Sequence, residues 1–187
     1  MTRDGQALNA VRRRDRAVED EAWLRAKLDG AAFGVLAMAD GDQPLVNVNL
    51  FGFDADRRAL YLHTARLGRT RETIEKNPKV CFVVADMGRL LPADEALEFS
   101  VEYESVVVFG RASVVEDGEE VRHGLQLLLD RYAPHLRPDR DYRPITSEEV
   151  RRTSVFRLDI ESWSGKRKTA DADFPGAFHF GEKDMDA

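Results

Sequence analysis

The chain has 187 residues, 43% apolar and 33% charged, enough for one packed domain with a well-hydrated surface. Its formal net charge of -6 argues against a general nucleic-acid binder, which carries a basic excess. Cys81 is the single cysteine, so no internal disulfide can form, and no apolar run is long enough to cross a bilayer or to serve as a signal peptide, so a soluble cytoplasmic protein is expected.

Residues 1–17 carry no apolar period and read as an N-terminal arm, its basic run Arg12-Arg13-Arg14-Asp15-Arg16 offset by Glu19-Asp20-Glu21. Asp20 is placed to cap a helix over Glu21–Asp29, with Trp23, Leu24 and Leu28 on one stripe and Gly30 at its end. Phe33–Ala39 reads as a strand, and Asp40-Gly41-Asp42 as a turn. The next strand, Pro44–Phe53, puts Leu45, Asn47, Asn49 and Phe51 on one face. Asn47 and Asn49 need hydrogen-bond partners if buried; a ligand, solvent or a neighbouring loop would each serve.

Leu60-Tyr61-Leu62-His63 alternates as a short strand and forms an expected hairpin with 44–53; His63 shares a face with Tyr61, away from Leu60 and Leu62. Gly68 then breaks the chain, and a helix follows over Arg69–Lys76, stopped by Pro78. A turn entering a helix N-terminus suits an anion, and Arg69 and Arg71 supply fork-shaped donors for a phosphate. The plainer alternative is that Arg71 and Glu75 form a surface pair one helical turn apart.

Lys79–Ala85 is apolar on both faces, as is Val106–Phe109 within the long strand Phe99–Val115; Cys81 is expected to be buried and inert. Residues 86–98 read as an irregular connection, and Gly110 as a bulge. Glu119–Tyr132 is an amphipathic helix with His123 on its exposed side, and Thr146–Glu149 spells a capping box. Val155–Ile160 alternates as the last strand and runs on to Lys166. The expected domains are the arm (1–17), a core domain (18–170) and a surface tail (171–187). The order of elements suggests a small, mainly antiparallel barrel with helices outside. No Walker loop, no G-x-G-x-x-G and no C-x-x-C or paired-histidine metal pattern occurs.

Four stretches, RRRDR, LYLHTARLGRTR with NPKVCFVV, EYESVVVFGRASVVED and SVFRLDIESWSGK, together resemble the flavin-binding split-barrel superfamily of pyridoxamine 5′-phosphate oxidase, nearest its 5-nitroimidazole-resistance (Nim-type) branch. The resemblance covers about Arg12 to Phe174. It implies a mainly β (α+β) fold, an antiparallel six-stranded split β-barrel with Greek-key connections and flanking helices. It also implies a homodimer holding FMN in grooves between subunits, with deazaflavin or haem as alternatives. In that picture Asn47, Asn49, His63, Thr64, Arg69, Arg71, Trp163 and Lys166 contact the cofactor, the last two from the other subunit. Thr70 stands where many Nim-type chains have Lys. The implied activity is a flavin-dependent oxidoreductase taking hydride from a nicotinamide donor and reducing a nitroimidazole or similar small planar substrate, with His63 as a catalytic group. The implied alternative is a non-catalytic flavin-, deazaflavin- or haem-binding protein.

Overall fold

The computed structural model describes residues 7–182. After a 3-10 turn at Arg14–Arg16 come β1 (Ala17–Val18), α1 (Glu21–Gly30), β2 (Gly34–Asp40), β3 (Gln43–Asn49), β4 (Phe51–Asp54), β5 (Ala59–Ala65) and α2 (Arg69–Lys76). The chain continues through β6 (Lys79–Leu91), β7 (Ser100–Val114), α3 (Gly118–Tyr132), α4 (Ser147–Arg152) and β8 (Thr153–Lys168). All eight strands join one antiparallel sheet along the path β3-β2-β6-β7-β8-β5-β4, with β1 pairing on β8.

The expected six-stranded split β-barrel is therefore not what the chain forms. The strand foreseen over 44–53 divides at Leu50: β3 pairs with β2, β4 pairs with β5, and no ladder joins β3 to β4. The path stays open, with those two strands as its ends, and the division plus the added β1 raises the count from six to eight. The expected irregular stretch 86–98 also differs, because β6 runs on to Leu91 against β7, with a register shift between Met87 and Leu90.

Local signals fix the helices. The Asp20 carboxylate accepts the Ala22 N–H at 2.9 Å, and Asp117 caps α3 through Glu120 N–H. Thr146 and Glu149 complete the capping box of α4. Arg131, on α3, donates to the Leu28 and Ala31 carbonyls at 2.8 and 2.6 Å, closing the C-terminal end of α1 with a cation.

The principal core lies on one face of the sheet. Leu36, Phe51, Leu60, Phe82, Val106, Val108, Phe156 and Leu158 are essentially fully buried there, and Leu24 and Leu28 of α1 pack in. Phe82 meets Phe51 edge-on at 4.8 Å. A second cluster, Ala59, Tyr61, Val115, Val121 and Val155, forms on the opposite face of β5 and β8 under α3. The bulge expected at Gly110 is present: Phe109 pairs with Ser162 but Gly110 with Ile160, and a Cβ at Gly110 would lie 2.0 Å from the Asp159 carbonyl oxygen.

The arm crosses β8, where β1 pairs with Lys166 and Gly165, and Asn9 donates to the Trp163 carbonyl. At the other end of the chain, Arg89 donates to the carbonyls of Ala170, Asp171 and Ala172 while gripping Glu102 through two nitrogens. That guanidinium and the Ala170 N–H hold the Glu102 carboxyl down to about 2.

Candidate functional site

The residues read as a phosphate seat do converge in part. β3, the end of β5 and the start of α2 enclose a cavity of about 410 Å³ lined by Asn47, Thr64, Gly68, Arg69 and Thr70, with Met38, Leu45 and Leu67 as its apolar side. Gly68 is the N-cap of α2 with φ 148 and ψ 166, a backbone region open to glycine alone, and no side chain caps the helix. The first N–H groups of α2 are thus left for solvent or a ligand, at the positive end of the helix dipole. Arg69 is exposed and pairs with no carboxylate among the described residues. Asn47 donates to Thr70 Oγ1 at 3.1 Å, fixing β3 against α2, and Asn49 donates to the Asn47 carbonyl. The two asparagines find their partners within the chain.

The other expected site residues lie elsewhere. Arg71 does not line this cavity. Its Nε donates to Glu75 at 2.7 Å and its Nη1 to the buried Ser154 hydroxyl at 3.0 Å, so it ties α2 to β8. Trp163 is buried in the principal core, edge-on to Phe53 and covered by the Arg58 guanidinium 4.6 Å above its ring. Lys166 stands over the Tyr103 ring on the far part of β8. Neither reaches the Asn47 cavity of its own chain.

His63 follows the strand alternation. Thr64 faces the first cavity, and His63, on the opposite side of β5, faces a second one of about 420 Å³. This second cavity lies between β5, α3 and the 133–146 loop, with Leu125, Leu129, Tyr132, Tyr142 and Ile145 on its walls. Desolvation by these neighbours lowers the His63 pKa, although the residue as a whole is exposed, so the effect is small. Arg143 sits at the rim and is already paired with Glu149 at 2.9 Å.

Sequence reasoning missed this wall, reading Glu119–Tyr132 only as an amphipathic helix. The available signal was the width of the apolar face of α3. Leu127 covers Gly52 on one side while Leu125, Leu128 and Leu129 turn to the other, more than one sheet strand can cover. His123, expected to be exposed, is half-buried and bonds Asp54 at 2.8 Å. Among the described residues no cluster of histidine, cysteine and carboxylate side chains could hold a metal ion.

The chain is thus an α+β protein: an open antiparallel sheet flanked by helices, with an uncapped helix start facing a cavity at its edge. Residues 19–167 match the family model described as pyridoxamine 5′-phosphate oxidase, and the chain belongs to that family. No curated protein matches it. Similar solved structures include the flavocytochrome Anf3 of Azotobacter vinelandii, 24% identical over 86% of this chain and 73% of that one, with a TM-score of 0.74. The FAD and heme binding protein of Mycobacterium smegmatis is 22% identical over 84% and 77%, with a TM-score of 0.73. A candidate 5-nitroimidazole antibiotic resistance protein of Bacteroides thetaiotaomicron is 23% identical over 81% and 86%, with a TM-score of 0.68. At these identities the likeness is one of fold, and the nitroimidazole-resistance branch expected from the sequence is not singled out among them.

Proposed function

We propose that the chain binds a flavin nucleotide with its phosphate against the start of α2. The observation that carries this reading is the uncapped N-terminus at Gly68, open to a cavity beside Arg69, which pairs with no carboxylate among the described residues. Arg69 supplies charge, the first N–H groups of α2 supply directed donors, and the Asn47–Thr70 bond holds the cradle in shape. Family membership and the flavin-binding names of the similar structures support the ligand class. When bound, the flavin would supply the redox chemistry, and the chain would supply position and electrostatics.

The activity proposed is that of an oxidoreductase moving electrons from a nicotinamide donor to a small planar substrate. The working unit proposed is a homodimer, supported by an apolar sheet face on which Val46 and Val48 are 70% and 61% exposed. The test is an absorbance spectrum of freshly purified protein. Two flavin bands that bleach with a nicotinamide donor are expected; a Soret band without flavin would overturn the reading. Arg69→Ala is expected to weaken FMN binding about tenfold or more and to leave riboflavin binding unchanged, because only FMN carries the phosphate.

A further inference from the structure

We propose that the segment 169–182 is a strap, latched by Arg89, that guards the open edge of β6, and that this edge pairs with a second copy of the chain when the strap lifts. β2 pairs with β6 only at Cys81, Phe82 and Val83. Beyond Val83, β6 runs on to Leu91 with β7 on one side. On the other side, among the described residues, its one paired partner there is Phe178. The Phe178 carbonyl accepts the Leu90 N–H at 2.7 Å, and the Phe178 N–H donates to the Leu90 carbonyl at 3.2 Å. A strand edge left bare is a template for another chain, so this small contact covers a real liability.

The latch is built from both neighbouring strands. Arg89 of β6 holds the two Glu102 oxygens of β7 through Nε and Nη2, each at 2.9 Å. This bidentate pair fixes the plane of the guanidinium. Its remaining N–H groups then meet the carbonyls of Asp171 and Ala172 at 3.0 and 2.9 Å, with that of Ala170 at 3.4 Å. Glu102 completes the grip by accepting the Ala170 N–H at 2.8 Å. Beyond the latch, Phe174 N–H donates to the Asp171 carbonyl and Ala177 N–H to that of Phe174. These two turns bring the chain back to Leu90, so the base of the strap and its far end are held at adjacent residues of β6.

The strap can open without the sheet. No residue of 169–182 is buried, and none belongs to either core cluster. Segments with few buried apolar contacts open at a fraction of the cost of global unfolding. Opening frees the Leu90 N–H and carbonyl on a strand that carries Val83, Val84, Leu90 and Leu91. The same edge of a second copy satisfies them, because antiparallel pairing of one edge with itself is self-complementary. This edge-to-edge contact is distinct from the face carrying Val46 and Val48, and it does not depend on a flavin.

The test is amide hydrogen exchange and sedimentation on the full chain. In the unaltered protein the Leu90 amide should be protected, yet exchange faster than those of Val106 and Val108, because the strap opens before the sheet. Arg89→Met keeps an unbranched apolar stem and removes the fork. It should speed Leu90 exchange about tenfold or more and leave Val106 and Val108 unchanged. Arg89→Lys, with the charge but not the fork, should fall between. Phe178→Pro removes the donor to the Leu90 carbonyl while leaving the Arg89–Glu102 pair in place, and should also speed Leu90 exchange. Sedimentation at matched concentration should show Arg89→Met and Phe178→Pro as heavier species than the parent. The proposal is overturned if Leu90 exchanges as slowly as Val106 in the parent, or if both variants keep the parent's Leu90 rate. It is equally overturned if Val106 and Val108 lose protection together with Leu90, which would make Arg89 a support of the sheet, or if both variants keep the parent's mass.

Discussion

The two faces of the β2, β3, β6 and β7 strands are both apolar, and they meet different fates. Across the sheet, Leu36, Phe82, Val108 and Trp163 form one register row, and all are buried in the principal core. One residue along, Val48, Val35, Val83 and Val107 form the next row on the opposite face, with Val46, Ala37, Cys81 and Phe109 beside it. These residues are half-buried or exposed, and no helix among the described residues covers them. Hydrophobic composition alone thus does not place a residue in the core. The covering element does, and on this face the described residues supply no helix, only Leu8 of the arm beside Ala37, Cys81 and Phe109. Cys81, which looks buried in sequence, is half-exposed for that reason.

Truncating the two faces should separate them sharply. Phe82→Ala removes a fully buried ring that touches Phe51 and should cost about 3–5 kcal/mol, visible as a large fall in melting temperature. Arg71→Ala, between the extremes, should cost about 1–3 kcal/mol by leaving the buried Ser154 hydroxyl without its donor. Its effect on FMN should match that on riboflavin, since it does not line the cradle; a phosphate-selective loss would place it there instead. The paired substitution Val46→Lys and Val48→Lys should shift chain stability by less than about 0.5 kcal/mol per site. If a second copy covers this face, sedimentation should report the monomer mass for that variant and the dimer mass for the parent.

The smallest effect expected is a pH dependence. Burial lowers the His63 pKa in the folded state, so the unfolded chain binds the proton more readily. Stability should therefore rise with pH between the depressed folded value and the ordinary value of about 6.5, and be lowest below that window. His63→Ala should flatten the curve there, and an unchanged curve would show that burial at His63 has no linkage to folding.

Features set by near neighbours in the chain were legible in the sequence. Asp20 caps α1, Pro78 follows α2, the Thr146–Glu149 box opens α4, and the alternation at 60–63 sends Leu60 and Leu62 to one core and Tyr61 to the other. Features set by distant partners were not. The strand division at Leu50 depends on which strands β3 and β4 pair with, and both halves have the same period. The extension of β6 to Leu91 is imposed by β7. Arg71 is a plausible phosphate ligand until Ser154, 83 residues away, arrives beside it. The second cavity was hidden because its outer wall is a loop without periodicity.

The position of β8 has a consequence for how the molecule is made. The last strand in the chain is an interior strand of the sheet, hydrogen-bonded to β7 on one side and β5 on the other, with β1 added at its far end. During synthesis the nascent chain therefore holds β5 and β7 as open edges until residues 153–168 leave the ribosome. At about 5–20 residues per second, the roughly 90 residues between β5 and β8 take several seconds to add. For that interval one edge of β5, and from its own completion one edge of β7, lies exposed to pairing with other chains. A chain truncated before Thr153 would lack the strand that joins the two parts of the sheet.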